Sequence, residues 1–255
     1  ANSQIFSNYI EGTGPGIAIW GADSPNLKVN NNVIYKSGNA IFISASPSTD
    51  GIIRDKNNLS IDNNTIDSSL VKWNMATVGL RIQDDGDPAS SYINNVNIRN
   101  NIISNTVNTN AISLTGMNGS STAEVQNITN TLISHNLFFN NANTNSLSGT
   151  DIDDRGATST TNDKATNATT DVAPYVGTGA YLGSKFQLLD DGQNPARGTG
   201  ANVGLNYLGA LPDKGAFIQD VSVGARIEAE MNYSVADDVG TKVISVSDRG
   251  MDSNK

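Results

Sequence analysis

A nine-residue pattern returns five times in this chain, and it constrains the fold more than any other feature. The copies are SQIFSNYIE (3–11), LKVNNNVIY (27–35), LSIDNNTID (59–67), VNIRNNIIS (96–104) and TLISHNLFF (131–139). Their third position reads Ile5, Val29, Ile61, Ile98, Ile133. The sixth reads Asn8, Asn32, Asn64, Asn101, Asn136, and the eighth Ile10, Ile34, Ile66, Ile103, Phe138. A recurring Asn alone could arise in an Asn-rich chain. Three columns in phase over five copies mark a repeat architecture. The aliphatic positions suit two short strands pointing into a coil, with the Asn at the bend between them. Stacked about 4.8 Å apart, the Asn amides can hydrogen-bond from coil to coil. Asn also tolerates the left-handed backbone of a tight bend.

A third strand follows most of these pairs: IAIW (17–20), AIFIS (40–44), VGLRIQ (78–83) and AISLT (111–115). Alternation turns Ile17, Ile41, Leu80 and Ile112 inward. It turns Trp20, Phe42, Arg81 and Gln83 outward. The expected fold is all-β: a right-handed parallel β-helix solenoid with three short strands per coil and an Asn ladder. Ladder Asn residues lie 24, 32, 37 and 35 residues apart, so long loops leave the coil after the third strand.

Composition suits this fold. Hydrophobic residues are 37% and charged residues 16%, low values that a narrow repeated core stripe can still satisfy. The net charge of -9 and the absence of a basic stripe argue against nucleic acid. No apolar run reaches membrane-spanning length. With no Cys and one His, disulfides, thiolate sites and a zinc centre are not expected. His135 falls in a polar, bend-forming column with Ser7, Asn31, Asn63 and Asn100, which assigns it a structural role. The Asn-x-Ser/Thr sequons match what so Asn- and Thr-rich a chain shows by chance.

At the repeat residues the chain resembles the pectate lyase-like superfamily of right-handed parallel β-helix proteins. The coils span 1–155, followed by a loop-rich C-terminal coil and cap at 156–219. Within the latter, an F-x-L stretch, the turn at 192–196 and Asp213, Gly215, Ala216 and Phe217 resemble the usual ending of bacterial β-helix enzymes. Lys214 and Arg197 stand where those sequences carry apolar residues, and the ending is expected to cover the last coil. From 220 to 255 a linker leads into Ile227, Glu228, Ala229 and Glu230, similar to the start of a family-six-type carbohydrate-binding β-sandwich. Missing N-terminal coils or another chain are expected over the N-terminal end.

The superfamily implies a glycan bound along an outer sheet. It implies a secreted or cell-surface bacterial polysaccharide-degrading enzyme, either a lyase or a glycoside hydrolase. A non-catalytic glycan-binding adhesin and a structural spacer stay open as alternatives. The candidate catalytic cluster is RIQDDGDP (81–88): Arg81 with Asp84, Asp85 and Asp87. Carboxylates around a Gly can bind calcium or act as acid and base. Such a cluster also commonly makes a turn. By resemblance to the lyases, Arg81 is the base and the three Asp residues hold Ca²⁺. Trp20, Phe42 and Gln83 are the candidate glycan-binding residues. Lys36, Arg54 and Lys72 lie near the loops.

Overall fold

The computed structural model describes residues 2–12, 14–20, 23–45, 55–68, 78–84, 93–107, 110–115, 128–141, 151–154, 157, 160–163, 166–175, 177, 184–190, 192–205, 207 and 210–216. The chain divides into two units, Ala1–Gln219 and Asp220–Lys255. The second, with its I-x-A-E stretch, lies outside the described residues.

The first unit is a parallel β-helix. Each strand pairs with the strand three places later, so each full coil contributes three strands. The first sheet stacks Gln4–Phe6, Lys28–Asn30, Leu59–Asp62, Ile93–Arg99, Ile128–Ser134 and Thr160–Asn162. The second stacks Tyr9–Glu11, Val33–Tyr35, Thr65–Asp67, Ile102–Ser104, Leu137–Phe139 and Ala168–Thr170. The third stacks Ile17–Ile19, Ile41–Ser44, Leu80–Gln83, Ile112–Thr115 and Ile152–Asp153. The strand pairings within the three sheets are parallel, and those of the repeat keep its register: Ile5 pairs with Val29, Val29 with Ile61, and Ile61 with Ile98. No described helix is long and apolar enough to cross a membrane.

The Asn ladder runs through six coils. Asn8, Asn32, Asn64, Asn101 and Asn136 each donate through Nδ2 to Oδ1 of the next rung, at 2.9, 3.0, 2.9, 3.0 and 3.0 Å, ending at Asn167. The same Oδ1 also accepts the backbone N–H of the preceding rung, for example Asn64 N–H to Asn101 Oδ1 at 3.0 Å. Nδ2 donates back to the coil before: Asn101 to the Ile61 carbonyl at 2.8 Å. Each amide thus satisfies backbone groups that the bend takes out of the sheets.

The left-handed backbone sits one residue earlier than the sequence suggests. Ser7, Asn31, Asn63, Asn100 and His135 have φ of 56, 60, 54, 57 and 56°. The ladder Asn residues are not among the positive-φ residues. In each Asn-Asn pair the first residue turns the chain and the second ties the coils. Two further bends use the same device. Asn26, Asn58, Asn95 and Asn130 turn into the first sheet, and Gly12, Lys36, Asn105 and Asn140 turn out of the second. The cost of a left-handed residue explains why so many of these positions are Asn.

Inward residues form continuous aliphatic rows. Ile34, Ile41, Ile43, Ile66, Ile98 and Ile103 are fully buried. A row of small residues, Gly16, Ala40, Gly79 and Ala111, brings the chain into the third sheet. A Cβ on Gly79 would lie 2.4 Å from Ile103 Cγ2 and 2.8 Å from the Ala111 carbonyl, so the corner closes only with glycine there. In the last coil the rows turn polar: Thr160 follows Thr131, Asn162 follows Ile133, and Thr169 follows Phe138. Asp151, which is hydrogen-bonded by Asn141 and Thr169, is buried, and burial raises its carboxyl pKa.

The described residues between 172 and 216 lie along a flank. Tyr175, Phe186, Leu188, Ala196 and Ala216 pack on Val33, Ile102 and Leu137, which face outward from the second sheet. Tyr175 Oη and Ser104 Oγ are 2.7 Å apart, and Lys185 Nζ stands 3.0 Å from the Tyr35 ring centre. The described residues of this segment run along the side of the stack from Val33 in the second coil to Thr166 and Ala168 in the sixth, because that sheet carries an apolar outer column needing cover.

Two outcomes follow from the buried polar groups. Replacing Asn101 by Ala removes a middle rung and leaves its buried partners unpaired, at a cost of about 3 kcal/mol or more. The end rung Asn8→Ala should cost about 1 kcal/mol; urea unfolding of both variants checks the ratio, and equal losses would show that the ladder does not couple the coils. Asp151→Asn should stabilise the protein at neutral pH, where the buried carboxyl must ionise. Because its folded pKa is raised, the gain fades as pH falls through the ordinary Asp range and both states hold the proton. Melting temperatures of both proteins at acid and neutral pH test this, and a pH-independent difference would refute it.

Candidate functional site

The three outer faces differ in what they offer. The second is covered by the chain's own flank. The first carries polar residues and a buried ion pair, Arg99 with Asp62, at 2.9 Å through both Nε and Nη2. The third carries the aromatics.

Its outward residues form two columns. Ala18, Phe42, Arg81, Ser113 and Asp153 stand in register across five coils. Beside them Ser44, Gln83 and Thr115 form the second, with Trp20 next along the chain from Ile19. Trp20 is 65% exposed, the most exposed large hydrophobic residue among those described. Its ring meets Phe42 edge-on, centroids 6.3 Å apart at 78°. The Arg81 guanidinium carbon is 6.0 Å from the Phe42 ring centre on the other side. Period-two alternation places these three side chains on one surface, and the parallel register brings them into neighbouring coils.

This surface holds unused hydrogen-bonding capacity. Arg81 Nε and Thr115 Oγ1 are buried and have no partner among the described residues. A buried guanidinium N–H without an acceptor is costly, and because the atom is buried a ligand oxygen meets it only where the Arg81 side chain turns outward. Arg81, Phe42 and Gln83 are each half-buried, so the surface is a shallow shelf with one prominent ring. It can stack a flat apolar face and bond oxygens beside it.

The predicted carboxylates fare differently. Asp84 is fully buried, and its backbone N–H donates to the Thr115 carbonyl at 2.9 Å. That burial withholds its carboxylate from solvent in this state. Asp85 and Asp87 lie outside the described residues, as do Arg54 and Lys72. Among the described residues no group of three or more His, Cys, Asp or Glu converges on a metal position. Lys36 occupies a left-handed bend, 4.9 Å from the Tyr35 ring centre. His135 stands in the bend column, and its backbone N–H donates to Thr166 Oγ1 at 3.1 Å.

Sequence alternation turns Trp20, Phe42, Arg81 and Gln83 outward, and the structure sets them on this face. Thr115, also outward by alternation, was not among the candidate site residues; the parallel register places it beside Gln83 of the preceding coil. Compared with protein-family models, curated protein sequences and solved structures, the chain returns no match.

Proposed function

We propose that this chain is the β-helical part of a secreted or cell-surface, carbohydrate-acting bacterial protein. In this reading a glycan lies along the outer face of the third sheet. The observation that carries it is the exposed Trp20 set edge-on to Phe42, with the unpaired Nε of Arg81 on the far side. A sugar ring offers CH groups to an aromatic face and hydroxyls around its rim. Trp20 and Phe42 would take the first, and Arg81, Gln83 and Thr115 the second. The resemblance of Ile227 to Glu230 to a carbohydrate-binding module supports the same substrate class.

Cleavage of the bound glycan is the enzymatic form of this reading. Arg81 would serve a lyase as the group facing the sugar ring. Calcium, if used, would have to rest on Asp85 and Asp87 rather than on the buried Asp84 alone. Binding is what the described residues support most directly, since aromatics, an amide and a guanidinium face outward while Asp84 does not.

Affinity electrophoresis of the full chain on acidic and neutral polysaccharides tests binding. Trp20→Ala should weaken binding roughly tenfold, the scale of one lost aromatic contact. Its stability should change by no more than about 0.5 kcal/mol, because the ring is exposed. Arg81→Gln should lower affinity further. Retention of full affinity in both variants would move the glycan off this face. Ultraviolet absorbance of unsaturated sugar ends and reducing ends, followed together with and without EDTA, separate the enzymatic forms. Both signals, lost in EDTA, indicate a calcium-assisted lyase; reducing ends alone indicate a hydrolase; silence with binding retained indicates a binding protein.

A further inference from the structure

The C-terminal flank is tied to the coils mainly by groups that do not titrate. Asn100 Nδ2 donates to the Ala201 carbonyl at 2.7 Å, and the Ala201 N–H returns to Asn100 Oδ1 at 2.7 Å. The Gly215 N–H donates to the Asn100 carbonyl, Asn63 Nδ2 to the Asp213 carbonyl, and the Ala216 N–H to Thr65 Oγ1. Lys214 is different. It is only 3% exposed, and its Nζ donates to the Thr166 carbonyl of the sixth coil at 3.3 Å. An ammonium has three donors, and one long bond serves it poorly. His135 of the fifth coil feels Lys214, Asp163 of the sixth coil and Arg99, which is paired with Asp62; Asp213, next to Lys214 in the chain, is buried and accepts the Gly198 N–H. Thr166 joins Lys214 and His135, since it also accepts the His135 backbone N–H.

We propose that Lys214 makes the attachment of the C-terminal flank to the coils a proton-sensitive clasp, tighter when its amine is neutral. Burial pushes the Lys214 amine down to about 8 from 10.5. With the docked value lowered, the desolvation penalty is fully present below about 8. It is relieved as pH rises from there toward the ordinary lysine value, so docking tightens over that window. The clasp controls cover over Val33, Ile102 and Leu137, and the anchoring of whatever follows Ala216. It is independent of the glycan reading.

The chain has no Cys, so an Ala196→Cys variant of the full chain carries a single thiol at a fully buried flank position. Its labelling rate, divided by that of an unstructured thiol at the same pH, reads flank opening. Protection should rise roughly tenfold or more between about pH 7 and about pH 9.5. Adding Lys214→Met should raise protection at the lower pH and flatten the profile. An equal rise in that variant, or no rise in either, overturns the clasp. Should the thiol variant not fold, the imidazole resonances of His135, the only histidine, supply the second readout. They should show an inflection near the Lys214 value that disappears with Lys214→Met, and their indifference to pH in that range overturns the proposal too.

Discussion

The bend between the first and second sheets takes backbone groups out of the sheets and buries them, and stacked side-chain amides replace the lost partners. The rung from Asn64 to Asn101 shows the arrangement. One Oδ1 accepts both an amide N–H and a backbone N–H, while Nδ2 reaches the carbonyl of the coil before. A strand pair of three residues cannot hold such a bend by ladder bonds alone. The Asn column adds a fourth line of bonding parallel to the three sheets, and from Asn32 to Asn136 it is buried, so water does not compete for it there. The aliphatic rows then contribute the hydrophobic term in repeating increments, as in other solenoids.

How much of this the sequence exposed depended on whether a column stayed in phase. Five coils were legible because Ile or Val, Asn, and Ile or Phe recur at constant spacing. The sixth was not. Asn162 and Thr169 replace its aliphatic residues, and two extra residues separate Asn162 from Asn167, five apart where Ile5 and Asn8 are three. The column Ser7, Asn31, Asn63, Asn100, His135 read as polar and bend-forming, and its φ values make it the hinge of five coils, with the ladder Asn beside it free of the left-handed backbone. One consequence is that a histidine can stand there without chemistry, because the position demands a tolerable left-handed residue and nothing else.

The flank shows a different limit. Its sequence announced an ending but not where that ending docks. The signal lay elsewhere in the chain, in the residue after four of the six ladder Asn residues: Tyr9, Val33, Ile102 and Leu137. Alternation turns these outward, and apolar residues on an outer face require a cover. Gly215 then sets how close the cover comes. Its φ is 89°, and a Cβ there would lie 2.7 Å from both Ile102 Cδ1 and Thr65 Oγ1. Only a bare backbone can pass at that distance, so the Gly in the D-x-G-A-F ending belongs to the sheet it touches.

Covering one outer face by the chain itself also gives the candidate site its place. A three-sided solenoid has three outer surfaces, and its repeat makes each a column of chemically free positions. Here the second is spent on the flank and the first on small polar residues and the Arg99–Asp62 pair. The third keeps Trp20 in the open and leaves Arg81 Nε without an acceptor, two features that cost stability or solubility. The cost is not demanded by the coil, since Ala18 and Ser113 occupy the same column as Phe42 and Arg81 at no such expense. A repeat architecture therefore sharpens the functional argument. Each coil is a control for its neighbours, and the residues that depart from what the column needs are the ones on which the proposed glycan contact rests.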